Sequence, residues 1–317
     1  MSIEVDIEGT RATMNEVLEF EANGDVQSPE LSADIHEILN YRRAMIEAEQ
    51  MLETLPVSLR VIRRAHAVLL DGVRGAGKAP GEFRRVPNWI GPPGCAIEEA
   101  RFVPPPAQDL PDALGRWERY ANADATEVPD RMVQLAVVHA EFEALHPFLD
   151  GNGRLGRMLI PLLLWQWKVI EQPHFYISGY LEAHRDDYYE ALLTVSRDRD
   201  WTVWVRFFLK AVRTQAEENL GKARAIVGLH DDLRRRMPDM TRSRYSMAAM
   251  DWIFGRPIFS APMFFRQARI PERTARRLLA VLRDNGVIRD LAPASGRRSR
   301  LLGFTDLLNI AEGRSTF

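Results

Sequence analysis

Residues 146–157 read His-Pro-Phe-Leu-Asp-Gly-Asn-Gly-Arg-Leu-Gly-Arg, HPFLDGNGRLGR. The stretch before it, Met132 to Leu145, has apolar residues at helical spacing. Pro147 breaks that helix, and a second one is expected to restart within or just after Gly153–Arg157. In the turn between them, Gly151, Gly153 and Gly156 let the backbone come close to a ligand with its amides inward. Those amides, the positive end of the following helix, and Arg154 and Arg157 one turn apart predict an anion site. Asp150 offers a single carboxylate, which suits Mg²⁺ when substrate phosphates complete its shell. His146 carries an imidazole able to take a proton from an attacking hydroxyl. Each of these residue types alone is usually structural. On one loop they combine a base, a metal ligand and a polyphosphate cradle.

Working outward, most of the chain reads as helix. Ser32 to Leu52 and Ser58 to Leu70 repeat apolar residues near helical spacing, each with a serine placed to cap it. Further helices are expected near Arg185–Ser196 and Trp201–Ala223, with a boundary in the charged stretch 224–239, which ends in Met-Pro-Asp. Gly72 to Pro106 is rich in Gly and Pro. Short β-prone pieces around Trp89–Ile90 and Arg101–Val103 predict a long loop carrying a hairpin or flap. Within it, GVRGAGKA (72–79) nearly matches a phosphate-binding P-loop. It ends in Ala where a metal-binding hydroxyl belongs, and Pro80-Gly81 prevent the required helix, so it reads as a plain loop.

Hydrophobic residues make up 46% and charged residues 27% of the 317, which excludes a disordered or fibrous chain. The apolar stretch Met158–Trp167 is too short to span a bilayer, and the acidic N-terminus MSIEVDIEGT is unlike a signal peptide. With Cys95 as the one cysteine, the expectation is a cytoplasmic protein without membrane contact. The net charge of −2 is uneven: Met237 to Phe317 holds 14 Arg, no Lys and 7 acidic residues. A basic tail on an acidic body predicts separate modules with separate partners.

HPFLDGNGRLGR resembles the Fic motif, HPFxDGNGRxGR, at every specified position. IEGTRAT (7–13), PGEFR (80–84), NWIG (88–91), FVPPP (102–106) and RDDYYEALL (185–193) also look Fic-like, so the resemblance covers roughly Ile7 to Val212. It implies a mainly α, Fic helical fold with a β-hairpin flap. It also implies transfer of AMP from Mg-ATP to a hydroxyl of a target protein, releasing pyrophosphate. In that reading His146 is the base and Asp150 holds Mg²⁺. Asn152 and the amides around Gly151 and Gly153 seat the α- and β-phosphates, Arg154 meets the β-phosphate, and Arg157 the γ-phosphate. Phe148 anchors the loop. Ile90 is the flap residue that pins the target, which pairs by strand addition. Tyr188 and Tyr189 sit where relatives line the adenine pocket, one facing the base and the other the core. The intact GNGR is unlike Doc-type relatives, which have lysine for the second glycine and act as kinases.

Ile7-Glu8-Gly9-Thr10 resembles the N-terminal inhibitory motif [S/T]xxxE[G/N] of a Fic subclass, with Glu4 where Ser or Thr is usual. The resemblance implies that Glu8 pairs with Arg157 and keeps the γ-phosphate out. Homodimers are common among such relatives. Met237 to Phe317 resembles a winged helix-turn-helix: helices at Ala261–Ala268 and Glu272–Asn285, and wing strands at Val287–Leu291 and Ser299–Phe304. Arg273, Arg276, Arg277, Arg297 and Arg298 are then candidate nucleic-acid contacts, although winged helices also bind protein. The expected organisation is an N-terminal helical region (1–55), a catalytic core (56–223), a linker (224–239) and a winged helix (240–317). Two other readings stand beside AMP transfer: a DNA-binding regulator whose Fic body senses nucleotide, and removal of AMP by the same site.

Overall fold

The computed structural model describes the chain except residues 1–11, 25–27, 93, 129, 293–298 and 314–317. The expectations for Glu8, Arg297 and Arg298 therefore lie outside the described residues. Among those described, the elements are α1 (Met14–Asn23), α2 (Pro29–Leu52), α3 (Leu59–Leu69), α4 (Leu110–Ala121), α5 (Arg131–Leu145), α6 (Asn152–Gln166), α7 (Ser178–Ala183), α8 (Arg185–Asp198), α9 (Trp201–Thr241), α10 (Ser246–Gly255), β1 (Ile258–Ser260), α11 (Ala261–Gln267), α12 (Glu272–Asp284), β2 (Arg289–Ala292), β3 (Leu301–Gly303) and α13 (Thr305–Glu312). No described helix is long and apolar enough to cross a membrane.

Helix starts follow local chemistry. The helix expected from Ser32 begins earlier, at Pro29, because Ser28 Oγ accepts the Leu31 amide at 3.1 Å. Ser58 precedes α3 without a side-chain cap; the Leu59 amide goes instead to Glu118 Oε1 of α4, 2.8 Å away. Asp130 caps α5, accepting from the Met132 and Val133 amides at 2.7 and 3.1 Å.

The chain divides into two units, one of His36–Ala216 and one of Ala12–Ile35 with Glu217–Phe317, beside the undescribed N-terminal residues. The first is helical. Its central element is α6, buried from Arg154 to Leu164 on every side, as a run of Met, Leu, Ile and Pro residues requires. Phe142, Phe148, Leu155, Met158, Leu162, Trp204 and Phe208 pack in one core around it. The Trp204 and Trp117 indoles donate to the Ala136 and Val138 carbonyls of α5 at 2.8 and 2.9 Å, pinning the helix that ends at the site. The expected flap hairpin is reduced to a single antiparallel bridge, Ile90 with Phe102, whose two backbone bonds measure 2.9 and 3.1 Å.

In the second unit β1, β3 and β2 form an antiparallel sheet in that order, with Ile258 opposite Gly303 and Arg289 opposite the same glycine. Trp252 meets Phe259 and Phe264 edge-on at 4.9 and 5.0 Å in its core. Residues 224–239, expected as a linker, are helical throughout and belong to α9, which continues past Pro238. Leu233 and Met237 are buried in the second core, and that burial carries the helix through the charged stretch. The sequence reading also did not include α10 and β1. Helix α1 packs on the sheet, with Leu18 and Ala22 against Ile258, Leu301 and Leu308.

A charge in that cluster would be buried without a partner. Leu18→Asp is expected to destabilise this unit by about 1–3 kcal/mol, lowering its thermal midpoint and opening it to limited proteolysis. An unchanged midpoint would show that α1 adds nothing to the sheet.

Candidate active site

The loop between α5 and α6 departs from regular structure at both ends. His146 closes α5 in the left-handed region, φ 43° and ψ 60°, with its amide on the Phe142 carbonyl at 3.1 Å. For a non-glycine residue that conformation costs on the order of 1 kcal/mol and persists only if its surroundings enforce it. Arg84 does much of the enforcing. It is 4% exposed, and its guanidinium donates to the carbonyls of His146 (3.0 Å), Leu145 (3.3 Å), Pro105 (2.5 Å) and Val86 (3.4 Å). Burial holds the Arg84 pKa below the usual arginine value. Its amide donates to the Pro147 carbonyl at 2.9 Å, and Asn88 Nδ2 reaches the carbonyls of Phe148 (3.0 Å) and His146 (3.3 Å).

The loop's floor is Phe148, fully buried and stacked on the His66 ring at 3.8 Å. His66 lies in the apolar stripe of α3. Its Nδ1 accepts the Gly81 amide at 2.8 Å, while Nε2 lies 2.9 Å from the Asp150 carbonyl. A carbonyl can only accept, so the ring is neutral with its proton on Nε2. Desolvation, outweighing that hydrogen bond, lowers its pKa to about 4. Asn152 closes the turn from inside: Oδ1 accepts from the Phe148 amide and Nδ2 donates to the Phe148 carbonyl, both at 2.9 Å. Its side chain is thus committed to the loop, and its backbone amide is what remains for an anion.

Gly151, with φ 75°, forms the N-cap of α6. A side chain there would be strained by the backbone angle, although its neighbours stand at ordinary distances. The opening amides of α6, which no intrahelical carbonyl can take, follow at once. Asp150 is partly exposed, and its Oδ1 lies 3.3 Å from Arg154 Nη2. Arg154 and Arg157 are buried, at 9% and 6% exposure, rather than lying on a solvated face. Among the described residues no group of three or more His, Cys, Asp or Glu side chains could hold a metal alone.

The two tyrosines separate. Tyr188 is buried, with its hydroxyl 3.0 Å from His139 Nε2; His139 Nδ1 lies 3.2 Å from the Gly156 carbonyl. The carbonyl fixes the proton on Nδ1, so Tyr188 donates and the chain ends on α6. Burial lowers the His139 pKa to about 3, with the Arg157 charge acting the same way. Tyr189 instead lines a cavity of about 340 Å³ with Ile90, Arg101, Phe102, Leu193 and Ser196. The Arg101 guanidinium lies 5.4 Å from the Tyr189 ring.

Two of the expected arginines of α12 have partners within the protein. Arg276 pairs with Glu272 and lies 4.8 Å over Phe265, and Arg277 donates to the Thr241 carbonyl at 2.9 Å. Arg273 is exposed. Sequence reasoning did not assign roles to His66, Arg84, Asn88 or His139. Arg84 and Asn88 were signalled by the PGEFR and NWIG segments, and each histidine by its place on an apolar helix face.

A helical scaffold thus presents the loop that resembles the Fic motif. Residues 56–164 match the Fic/DOC family, and residues 5–50 match Fic/DOC family N-terminal. Over these residues the chain is similar to the Fic/DOC family. It is similar to a protein adenylyltransferase Fic of Culex quinquefasciatus, 31% identical over 182 residues, covering 56% of this chain and 32% of that protein. It is also similar to that of Drosophila grimshawi, 29% identical over 211 residues, covering 64% and 38%. The chain thus spans about a third of the length of the curated relatives it matches. In fold it resembles a Fic family protein from Desulfovibrio desulfuricans G20 (TM-score 0.58, 20% identity, 94% of this chain and 82% of that one). Residues 134–508 of Fic-1 from C. elegans give a TM-score of 0.53 at 20% identity, covering 68% and 60%.

Both buried histidines are neutral in the fold, so the unfolded chain binds more protons between the ordinary histidine pKa near 6.5 and the folded values near 4 and 3. Their contribution to stability is full above about pH 6.5 and is lost as pH falls. Urea denaturation at pH 7.5 and 4.5 should differ by roughly 2 kcal/mol per histidine. Equal stabilities would mean that neither imidazole is held neutral.

Proposed function

We propose that the protein transfers AMP from Mg-ATP to a hydroxyl side chain of a target protein. The observation that carries this reading is the loop itself. Its carbonyls are tied by Arg84, Asn88 and His66, while the amides opening α6 stand beside Asp150, Arg154 and Arg157. Such a loop suits a polyphosphate. His146 would take the proton of the attacking hydroxyl, whose oxygen bonds to the α-phosphorus as the bond to the β-phosphate breaks and pyrophosphate leaves. Arg154 and Arg157 would hold the β- and γ-phosphates. Positioning and charge stabilisation would carry the rate.

Mg²⁺ fits the donor set. Asp150 is one partly exposed carboxylate at the mouth of the anion site, and a single carboxylate completed by substrate oxygens is a usual way to hold this ion. Bound there, Mg²⁺ offsets negative charge on the phosphates. The cavity beside Tyr189 and Ile90 is the proposed adenine site, with Tyr188 a supporting residue. Val86, Trp89, Ile97 and Val103 are exposed along the flap segment and suit an apolar stretch of target. Glu8 is read as an inhibitory partner of Arg157, by family likeness. We read the C-terminal unit as a winged helix, in which Arg273 and Arg276 are exposed and Arg277 is tied to the Thr241 carbonyl.

Wild type, His146→Ala and Glu8→Gly, incubated with Mg²⁺ and ATP labelled at the α- or γ-phosphate, test the reading. Protein label is expected from the α-position alone, falling at least ~10²-fold in His146→Ala and rising in Glu8→Gly. Label from the γ-position would make the protein a kinase. With no label at all, release of AMP from a modified protein becomes the better reading.

A further inference from the structure

Glu37 lies on α2, outside the catalytic loop and outside every motif that announces it. It is 3% exposed. Arg74, from the P-loop-like stretch, holds it with two bonds: Nε to Oε1 at 2.7 Å and Nη2 to Oε2 at 3.1 Å. The second oxygen also stands 3.5 Å from Nη1 of Arg154, whose Nη2 faces Asp150. Charges therefore alternate along Arg74, Glu37, Arg154 and Asp150.

Helix α2 fixes the same stretch one and two turns further on. Asn40 Nδ2 donates to the Asp71 carbonyl at 2.7 Å, and Arg43 reaches Asn40 Oδ1 at 3.1 Å and the Asp71 carboxylate at 3.5 Å. The stretch in turn closes on the loop. At Gly75 the backbone angle, φ 86°, would strain any other residue, and an added Cβ would stand 2.8 Å from Asp150 Oδ2. The near-match to a P-loop thus lies against Asp150 of the loop.

A buried carboxylate is costly unless its charge and lone pairs are met. Arg74 meets part of that need with two hydrogen bonds, and the further ion-pair contact sets Arg154 between two carboxylates, Glu37 and Asp150. Asp150 faces Arg154 from the other side but is itself partly exposed, whereas Glu37 is buried. We propose that Glu37 is a positioning residue that holds Arg154 in its phosphate-binding orientation, with Arg74 as its counter-charge. This rests on the nucleotide reading of the loop.

The test uses the full chain as wild type, Glu37→Gln and Arg74→Met. Binding of a non-hydrolysable ATP analogue with Mg²⁺ is measured by calorimetry, the KM for ATP and kcat by labelling, and stability by thermal melting. Glu37→Gln is expected to weaken analogue binding and raise KM about tenfold, a change of ~1.4 kcal/mol, with a smaller fall in kcat. Arg74→Met should weaken binding severalfold. Arg74 is half-exposed, so this variant keeps the test alive if Glu37→Gln does not fold. Folded variants that bind as tightly as wild type, or that lose stability at unchanged KM, overturn the proposal. Wild type that binds no analogue overturns the nucleotide reading itself, and the role of Glu37 with it.

Discussion

A backbone that offers its amides to an anion must satisfy its carbonyls elsewhere, because buried peptide groups are rarely left unpaired. The turn between α5 and α6 is governed by that constraint. Helix hydrogen bonding stops at Leu145 and resumes after Gly151, leaving the carbonyls of Leu145, His146, Pro147, Phe148 and Asp150 in a half-buried place. Each finds a donor from outside the turn or across it: Arg84, Asn88, His66, Asn152 and the Arg84 amide. The long Gly- and Pro-rich connection after α3 exists in this form because it supplies three of those donors. The helices around it supply rigidity.

The same logic selects residue types. The Asp150 carbonyl needs a donor beside Phe148, in a setting where a full charge would be expensive. A neutral imidazole provides an N–H donor, an acceptor for the Gly81 amide, and a flat face for the phenyl ring. At Arg84 several carbonyls converge, and a guanidinium with five N–H groups is the side chain with enough donors. His139 joins Tyr188 to α6 in the way His66 joins α3 to the loop. The two imidazoles carry opposite tautomers because their carbonyl partners lie at opposite ring nitrogens.

Legibility in the sequence followed the range of the interactions. The loop's course was legible because histidine, carboxylate, glycines and arginines are consecutive in HPFLDGNGRLGR, and Phe148 is buried as expected of an anchor. The helices α2, α3, α5, α8 and α9 were legible from apolar spacing, with the start of α2 displaced to Pro29, where Ser28 takes the Leu31 amide. Residues 224–239 were misread because charge and Met-Pro-Asp suggest a break, whereas Leu233 and Met237 are buried on one face of an unbroken helix. Glu37 and His66 carried little signal, since an acidic residue or a histidine on a helix has many ordinary uses. Their meaning depends on partners 37 and more positions away: Arg74 and Arg154 for Glu37, and Asp150 for His66.

The packing of α1 on the three-stranded sheet has a consequence for the order in which the molecule is made. During synthesis, Leu18 and Ala22 emerge long before Ile258, Leu301 and Leu308 exist to cover them. The unit composed of Ala12–Ile35 and Glu217–Phe317 is thus interrupted by the whole of His36–Ala216, which can collapse on its own core first. Closing the sheet against α1 is then a late, long-range event of the kind that slows folding, and the waiting helix keeps an apolar face open meanwhile. A ribosome stalled before β3 would hold a finished His36–Ala216 unit and an α1 still without its cover.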